Sequence, residues 1–222
     1  KGNWNKSMKK IISFFFFLIF FGVVFFIGWT QIKVKPDSYA IVISKTSGVN
    51  PNPVIPGEFS WNWQFLIPTN AELKIFSINP VNAKKTISGS VTNPNSIQNI
   101  DYSFDFAISL TVSPQTLIQL YNQNQISSQQ TLDEYLQNIA TSIAQMSADY
   151  IINKIKTDEN FSMEKLSRNE IVRSIQYQQK YPFVDLMVLS VENYKIPDYK
   201  AYMNYKNDFV IPEVTTQEST NE

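Results

Sequence analysis

Four carboxylates are spaced so that they could do chemistry together. Asp101 and Asp105 recur on one side of "DYSFDFAISLTV", and Asp133 and Glu134 are adjacent in "TLDEYL". Paired carboxylates can hold a divalent cation or act as general acid and general base. Each pair also has a plain reading. In a strand, Asp101 and Asp105 mark the polar, solvated face. In the first turn of a helix, Asp133 and Glu134 complement the dipole and need no catalytic role. The remaining chemical repertoire is thin. The 222 residues include no His and no Cys, which removes imidazole bases, thiol nucleophiles, disulfides and the usual zinc sites. Ser and Lys are abundant, but no G-x-S-x-G elbow presents a nucleophile, and the six glycines form no phosphate-cradling motif. The expectation is a non-enzyme with no catalytic residue, no cofactor and no metal. Lys+Arg and Asp+Glu are both 19, so no basic excess exists to hold a nucleic-acid backbone.

The elements that would position these residues begin with an apolar run. Ile11 to Trp29 reads "IISFFFFLIFFGVVFFIGW" and carries no charge. As a helix it spans roughly 28 Å, close to the hydrocarbon thickness of a bilayer. No polar stripe interrupts it, so a buried core helix is a poor reading. A cleaved signal peptide has a shorter apolar region ending in a small-residue site, and none follows here. The expected anchor comprises Ile11, Phe14, Phe15, Phe16, Phe17, Leu18, Phe20, Phe21, Phe25, Phe26 and, at the interface, Trp29. Lys1, Lys6, Lys9 and Lys10 precede it and Lys33 and Lys35 follow. This bias places residues 1–10 in the cytoplasm and the rest across the membrane, which in a bacterial inner membrane is the periplasm.

Beyond the anchor, "SYAIVIS" reads as a strand, and "GEFSWNWQFLIP" and "AELKIFSI" read as two more with a tight connection at Thr69-Asn70. "KKTISGSVTNPNSIQN" offers a short strand and a polar loop. Tyr102, Phe104, Phe106, Ile108, Leu110 and Val112 alternate with polar neighbours, the pattern of a half-buried strand. At Ser113-Pro114 the period changes to that of a helix, with Ser as N-cap and Pro at its first position. Asn122 to Gln130 reads as a flexible polar loop, with a contact to a neighbouring subunit as the alternative. Thr131-x-x-Glu134 has the form of a capping box. Leu132, Tyr135, Leu136, Ile139, Ile143, Met146 and Tyr150 then keep helical spacing. A third helix is expected from Ser162, stopped by Tyr181-Pro182, and "FVDLMVLSVENYKI" closes the body as a strand. The class is α+β, a mainly antiparallel sheet with helices on one face.

These segments, in this order, resemble the SPFH/band 7 family, which includes stomatin, prohibitin, flotillin and the bacterial HflK/HflC proteins. "VKPDSYAIVIS" directly after an anchor is similar to the family's opening strand. "IPGEFSWNWQFLIPTNAELKIFSI" resembles its Pro-Gly strand, turn and returning strand. "YSFDFAISLTVSPQTLIQLYNQ" resembles its strand and helix with a Leu-Tyr pair, here Leu120-Tyr121. "FVDLMVLSVENYKIPDY" resembles its closing strand and Ile-Pro. The resemblance covers 31–199 and leaves 200–222 as a short polar tail, where most members continue into a long coiled coil. In outline, one anchor and one compact outer domain, the chain also resembles the flagellar protein FliL. The resemblance implies a membrane scaffold that assembles side by side, as a ring or patch, with copies of itself or a related SPFH chain. Its clients would be a membrane protease of the FtsH type or a flagellar motor complex. A monomeric, anchored lipid- or ligand-binding module is the alternative.

One stretch remains open. In "VIPGEFSWNWQFLIP", Phe59, Trp61, Trp63 and Phe65 alternate with Ser60, Asn62 and Gln64. The plain reading puts these aromatics in the core against the helices. The second gives part of that face to the lipid bilayer or to another subunit, because Trp and Phe favour interfaces and headgroup levels.

Overall fold

A computed structural model of the chain describes residues 2–92, 99–158 and 160–196. The expected tail, 200–222, and the "NPNSIQ" part of the polar loop lie outside them. The class is α+β with antiparallel sheets, but the described residues form two three-stranded sheets rather than one. The chain divides into two compact units. One holds 2–82, 109–140 and 181–188; the other takes the described residues of 83–108, 141–180 and 189–196.

The first unit begins with α1, Gly2–Gly28, which starts well before the apolar run and stops one residue short of Trp29. Its Met8–Gly28 portion is long and apolar enough to cross a membrane. The body of this unit is a sheet in the order β2-β1-β3, built from β1 (Ser38–Ser44), β2 (Gly48–Val49) and β3 (Ala71–Ser77). β1 is the central strand and, apart from Tyr39, its residues are β-branched or small, which suits burial on both faces. Ala40, Ile41 and Val42 are fully covered. β1 and β3 run antiparallel from Ser38↔Ser77 to Ser44↔Ala71. Ala40 and Val42 join Val34 and Val54 in a small core, against which Phe65, Ala71 and Leu73 pack.

Two later strands, β4 (Val81–Thr92) and β5 (Asn99–Val112), lead into α2, Pro114–Asn122. The Ser113 hydroxyl accepts from the Thr116 N–H at 3.2 Å, so the expected cap is present. Leu117, Ile118 and Leu120 turn inward, and α2 packs on β1. The Gln/Asn/Ser stretch after it has a fixed course. Asn124 takes a left-handed φ of 55°, the Gln125 N–H reaches the Leu120 carbonyl at 2.9 Å, and the Asn124 N–H reaches that of Tyr121 at 3.0 Å. This is a Schellman termination with Asn in the place Gly usually takes. Buried Ile126 follows.

The capping box then falls three residues earlier than the sequence suggests. α3 runs Gln129–Thr157. The Ser128 hydroxyl accepts from the Thr131 N–H at 3.3 Å and the Thr131 hydroxyl accepts from the Ser128 N–H at 3.0 Å. The reciprocal pair is thus Ser128 and Thr131, with a Thr hydroxyl doing what a Glu carboxylate usually does. Glu134 accepts instead from Gln130, one turn earlier.

β4, β5 and the later strand β6 (Val184–Lys195) form a sheet of order β4-β5-β6. Phe104, Phe106 and Ile108 are buried as their alternation requires. The rings of Tyr102, Phe104 and Phe106 follow one another at 5.8 and 6.1 Å. The α3 stripe is wider than its large residues show, because Ala144, Ser147 and Ala148 are fully buried beside Ile143 and Ile151. The expected third helix is broken into a 3-10 turn (Met163–Lys165), α4 (Arg168–Ser174) and α5 (Tyr177–Lys180). Ser167 restarts the chain as an N-cap, accepting from the Glu170 N–H at 3.2 Å, and Gln176, with φ 53°, ends α4.

Adjacent residues of β3 give a direct test of this core. Phe76 is 1% exposed and Ile75 is 45% exposed. Phe76→Ala should cost about 3–5 kcal/mol, and Ile75→Ala less than about 1 kcal/mol, in chemical denaturation of the detergent-solubilised protein. Equal effects would contradict the burial pattern.

Candidate membrane-contact site

The stretch read as a strand with an aromatic face is not a strand. Pro56-Gly57 turns the chain with a Gly57 φ of 82°. The segment then runs irregularly along the end of α1 and closes in a 3-10 turn at Trp63–Leu66. The expected faces are reversed as well. Asn62 and Gln64 are buried, whereas Phe59, Trp61 and Trp63 are 64%, 38% and 53% exposed. The core reading of these three is therefore overturned, and only Phe65 packs toward the small core.

Hydrogen bonding explains the reversal. A helix leaves its last carbonyls without partners. Here the Asn62 N–H donates to the Gly28 carbonyl at 2.8 Å, and the Trp61 indole N–H donates to that of Phe25 at 3.0 Å. In the other direction the Thr30 N–H and hydroxyl both donate to the Ser60 carbonyl, at 3.0 and 3.1 Å. Trp29 and Trp61 form an antiparallel bridge at the junction. The Phe59 ring stacks on Phe25 with centroids 5.9 Å apart and planes 15° apart. A side chain at Gly28 would overlap the Trp61 indole, so the absence of a Cβ there is what allows this approach. Residues 59–62 therefore act as a C-cap contributed from outside the helix.

The buried polar residues anchor the other end of the loop. The Asn62 side chain accepts from the Gln64 N–H at 2.9 Å and starts the 3-10 turn. The Gln64 amide donates to the Ser47 hydroxyl. The Ser44 hydroxyl accepts from the backbone N–H groups of Thr46 and Ser47, and the Asn70 amide donates to it at 3.3 Å. These bonds tie the loop to the end of β1 and the start of β3. Lys33 lies over the Phe65 ring, 4.7 Å from its centroid.

The carboxylate candidates do not converge. Asp101 and Asp105 are four residues apart along β5, roughly 13 Å at strand geometry, too far to share a cation. Asp105 accepts from the Thr86 hydroxyl at 2.7 Å and the Asn193 amide at 3.3 Å, within the second unit. Asp133 and Glu134 accept from Gln129 and Gln130 at 2.7 and 2.9 Å on the first turn of α3. A third group, in the second unit, carries no signature in residue types or spacing. The Tyr150 hydroxyl donates to Glu170 at 2.6 Å and Lys154 lies 3.5 Å from the same carboxylate. The Tyr150 bond, with a smaller contribution from Lys154, holds Glu170 below the ordinary carboxylate value despite partial burial. Tyr150 and then Glu170 raise Lys154 above the usual lysine value. All three groups are solvated enough to make this a structural clasp.

No family model matches the chain. It is similar to an uncharacterized protein of Treponema pallidum (strain Nichols), 26% identical over 191 residues, which is 79% of this chain. The chain spans 62% of that relative's length.

Two outcomes follow from these contacts. Gly28→Val should displace Trp61 and speed amide hydrogen exchange at Thr30 and Asn62 by at least tenfold, while exchange in β1 stays slow. Unchanged exchange at Thr30 and Asn62 would count against the cap. Because Glu170 is held low in the folded state, its contribution is present above the ordinary glutamate range and is lost as pH falls through the lowered value. Tyr150→Phe should move that acid limb of the unfolding midpoint to higher pH, and an unmoved limb would refute the clasp.

Proposed function

We propose that this protein is a non-enzymatic membrane scaffold of the SPFH/band 7 kind. In this reading α1 spans a bilayer once and the first unit is held against its surface. Copies of the chain, or of a related one, meet side by side in a ring or patch beside a client membrane-protein complex. The observation that supports it best is the cap formed by 59–62. A helix joined to its domain only by a flexible connector would leave that domain free to tumble. Hydrogen bonds from Asn62 and Trp61 to the last turn of α1 instead fix its height and attitude. Domains confined to one height meet at high effective concentration, so modest lateral contacts suffice. A head-to-tail contact between such domains closes into a ring.

The resemblance described above adds to this, since β1, β3, β5, α2 and β6 fall on the segments that carry it. The surplus of lysines before the apolar run supports a bacterial inner membrane setting with the body in the periplasm. A membrane protease of the FtsH type or a flagellar motor complex is the proposed client.

Extraction in a mild detergent followed by mass measurement tests assembly. The expected result is a discrete oligomer well above the 25.6 kDa of one chain. A monomer at every concentration would overturn the scaffold and favour a lone anchored lipid- or ligand-binding module.

A further inference from the structure

We infer that the polar end of the β4-β5-β6 sheet, within the second unit, is a binding site for a small zwitterion, an amino acid with a polar side chain. Asp101 takes its ammonium, Lys195 its carboxylate, and the hydroxyls of Ser88, Ser90 and Ser103 its remaining polar atoms. The site depends neither on membrane insertion nor on assembly.

One face of this sheet is polar across three strands. The Thr86 hydroxyl donates to one oxygen of Asp105 at 2.7 Å, and the Asn193 amide donates to the other at 3.3 Å. Those bonds put Thr86, Asp105 and Asn193 on the same face. Side chains return to one face at every second residue of a strand. Ser88 and Ser90 on β4, Asp101 and Ser103 on β5, and Lys195 at the end of β6 therefore share it. Near Asp105 this face is paired internally, since Lys84 also reaches Glu192 at 3.0 Å. At the end of the sheet the pairing stops. Ser88, Ser90, Asp101, Ser103 and Lys195 line an open hollow of about 430 Å³, and among the described residues no side chain bonds theirs. Opposite charges on neighbouring strands ordinarily meet side by side. Asp101 and Lys195 instead face the same hollow without pairing.

The floor of the hollow is closed from behind. A side chain at Gly89 would overlap the Tyr102 phenol, so that ring lies across β4 on the opposite face. The Tyr102 ring is 5.8 Å from that of Phe104, which is fully buried. The hydroxyl row is thus held on a rigid support, and little has to be ordered when a ligand arrives.

Charge selects the ligand. A simple anion meets Asp101 as a like charge, and a metal cation meets Lys195 in the same way, so a molecule bearing both signs fits best. Only hydroxyls flank the two charges, and an apolar ligand side chain would leave them unpaired.

L-serine is the probe, titrated into the full chain in detergent micelles with backbone amide shifts read by NMR. Saturable shifts at 88–90, 101–103 and 195 are expected, and none at several tens of millimolar overturns the site. N-acetyl-L-serine lacks the ammonium and L-serinamide lacks the carboxylate. Each should bind about fivefold more weakly than L-serine, the scale of one exposed charge contact. Asp101→Asn should abolish the preference over N-acetyl-L-serine, and Lys195→Gln the preference over L-serinamide. Preferences that survive these changes overturn the assignment of the two charges. Sodium acetate giving the same shifts at the same midpoint as L-serine leaves an adventitious ion only and overturns the zwitterion. L-leucine binding as tightly as L-serine overturns the part given to the hydroxyls.

Discussion

An α-helix leaves its last carbonyl oxygens without partners inside the helix, and each one left dry and unpaired costs about 1–3 kcal/mol. The first unit is organised around meeting that demand. The Phe25 and Gly28 carbonyls receive the Trp61 indole and the Asn62 amide from a segment more than thirty residues further along the chain. Once those bonds are made, the loop is fixed against α1. Asn62 and Gln64 are then drawn inward to start the 3-10 turn, and the bonds around Ser44, Ser47 and Asn70 brace it against β1 and β3. The exposed aromatic surface follows from the capping. Backbone and amide groups have first claim on the interior side of this segment, and the rings take what remains.

This explains which parts of the structure were legible from residues alone. Alternation along Tyr102–Val112, the Ser113-Pro114 helix start, the β1 and β3 strands and the apolar helix all rest on local periodicity or on single-residue preferences, and all appear. The stretch 54–68 has an alternation just as clean, yet it does not form a strand. Its partners are the carbonyls of a helix end, a long-range requirement that no two-residue period encodes. The burial of Asn62 and Gln64 is likewise invisible without knowing what they bond. The one local hint was Pro56-Gly57, which forces a turn immediately before the aromatics. The capping box was misplaced because Thr can do the work of Glu at its third position, so Ser128 and Thr131 fitted less obviously than Thr131 and Glu134. The helix expected from Ser162 failed for a related reason. Its apolar residues keep roughly helical spacing, but Ser167 and Gln176 interrupt the backbone at points that spacing does not register.

The candidate chemistry divides in the same way. Residue types alone flagged Asp101, Asp105, Asp133 and Glu134, and geometry gives Asp105, Asp133 and Glu134 structural partners from the neighbouring strands or the same helix turn. The clasp of Tyr150, Lys154 and Glu170 joins α3 to α4, elements whose approach depends on packing. By contrast the aromatic stretch, read as a strand whose plain interpretation was core, is an irregular loop with Phe59, Trp61 and Trp63 exposed.

The connection between α2 and α3 has a consequence of a mechanical kind. Its composition, rich in Gln, Asn and Ser, is that of a slack tether. Yet Asn124 closes one helix and Ser128 opens the next, with only Gln125, Ile126 and Ser127 between them, and the middle one is buried. A segment locked at both ends with so little chain in reserve has no length to spare. It behaves as an elbow of set angle, and adding or deleting a single residue there would unseat both terminations at once, along with the turn of α3 that reaches Ser77 through Gln129.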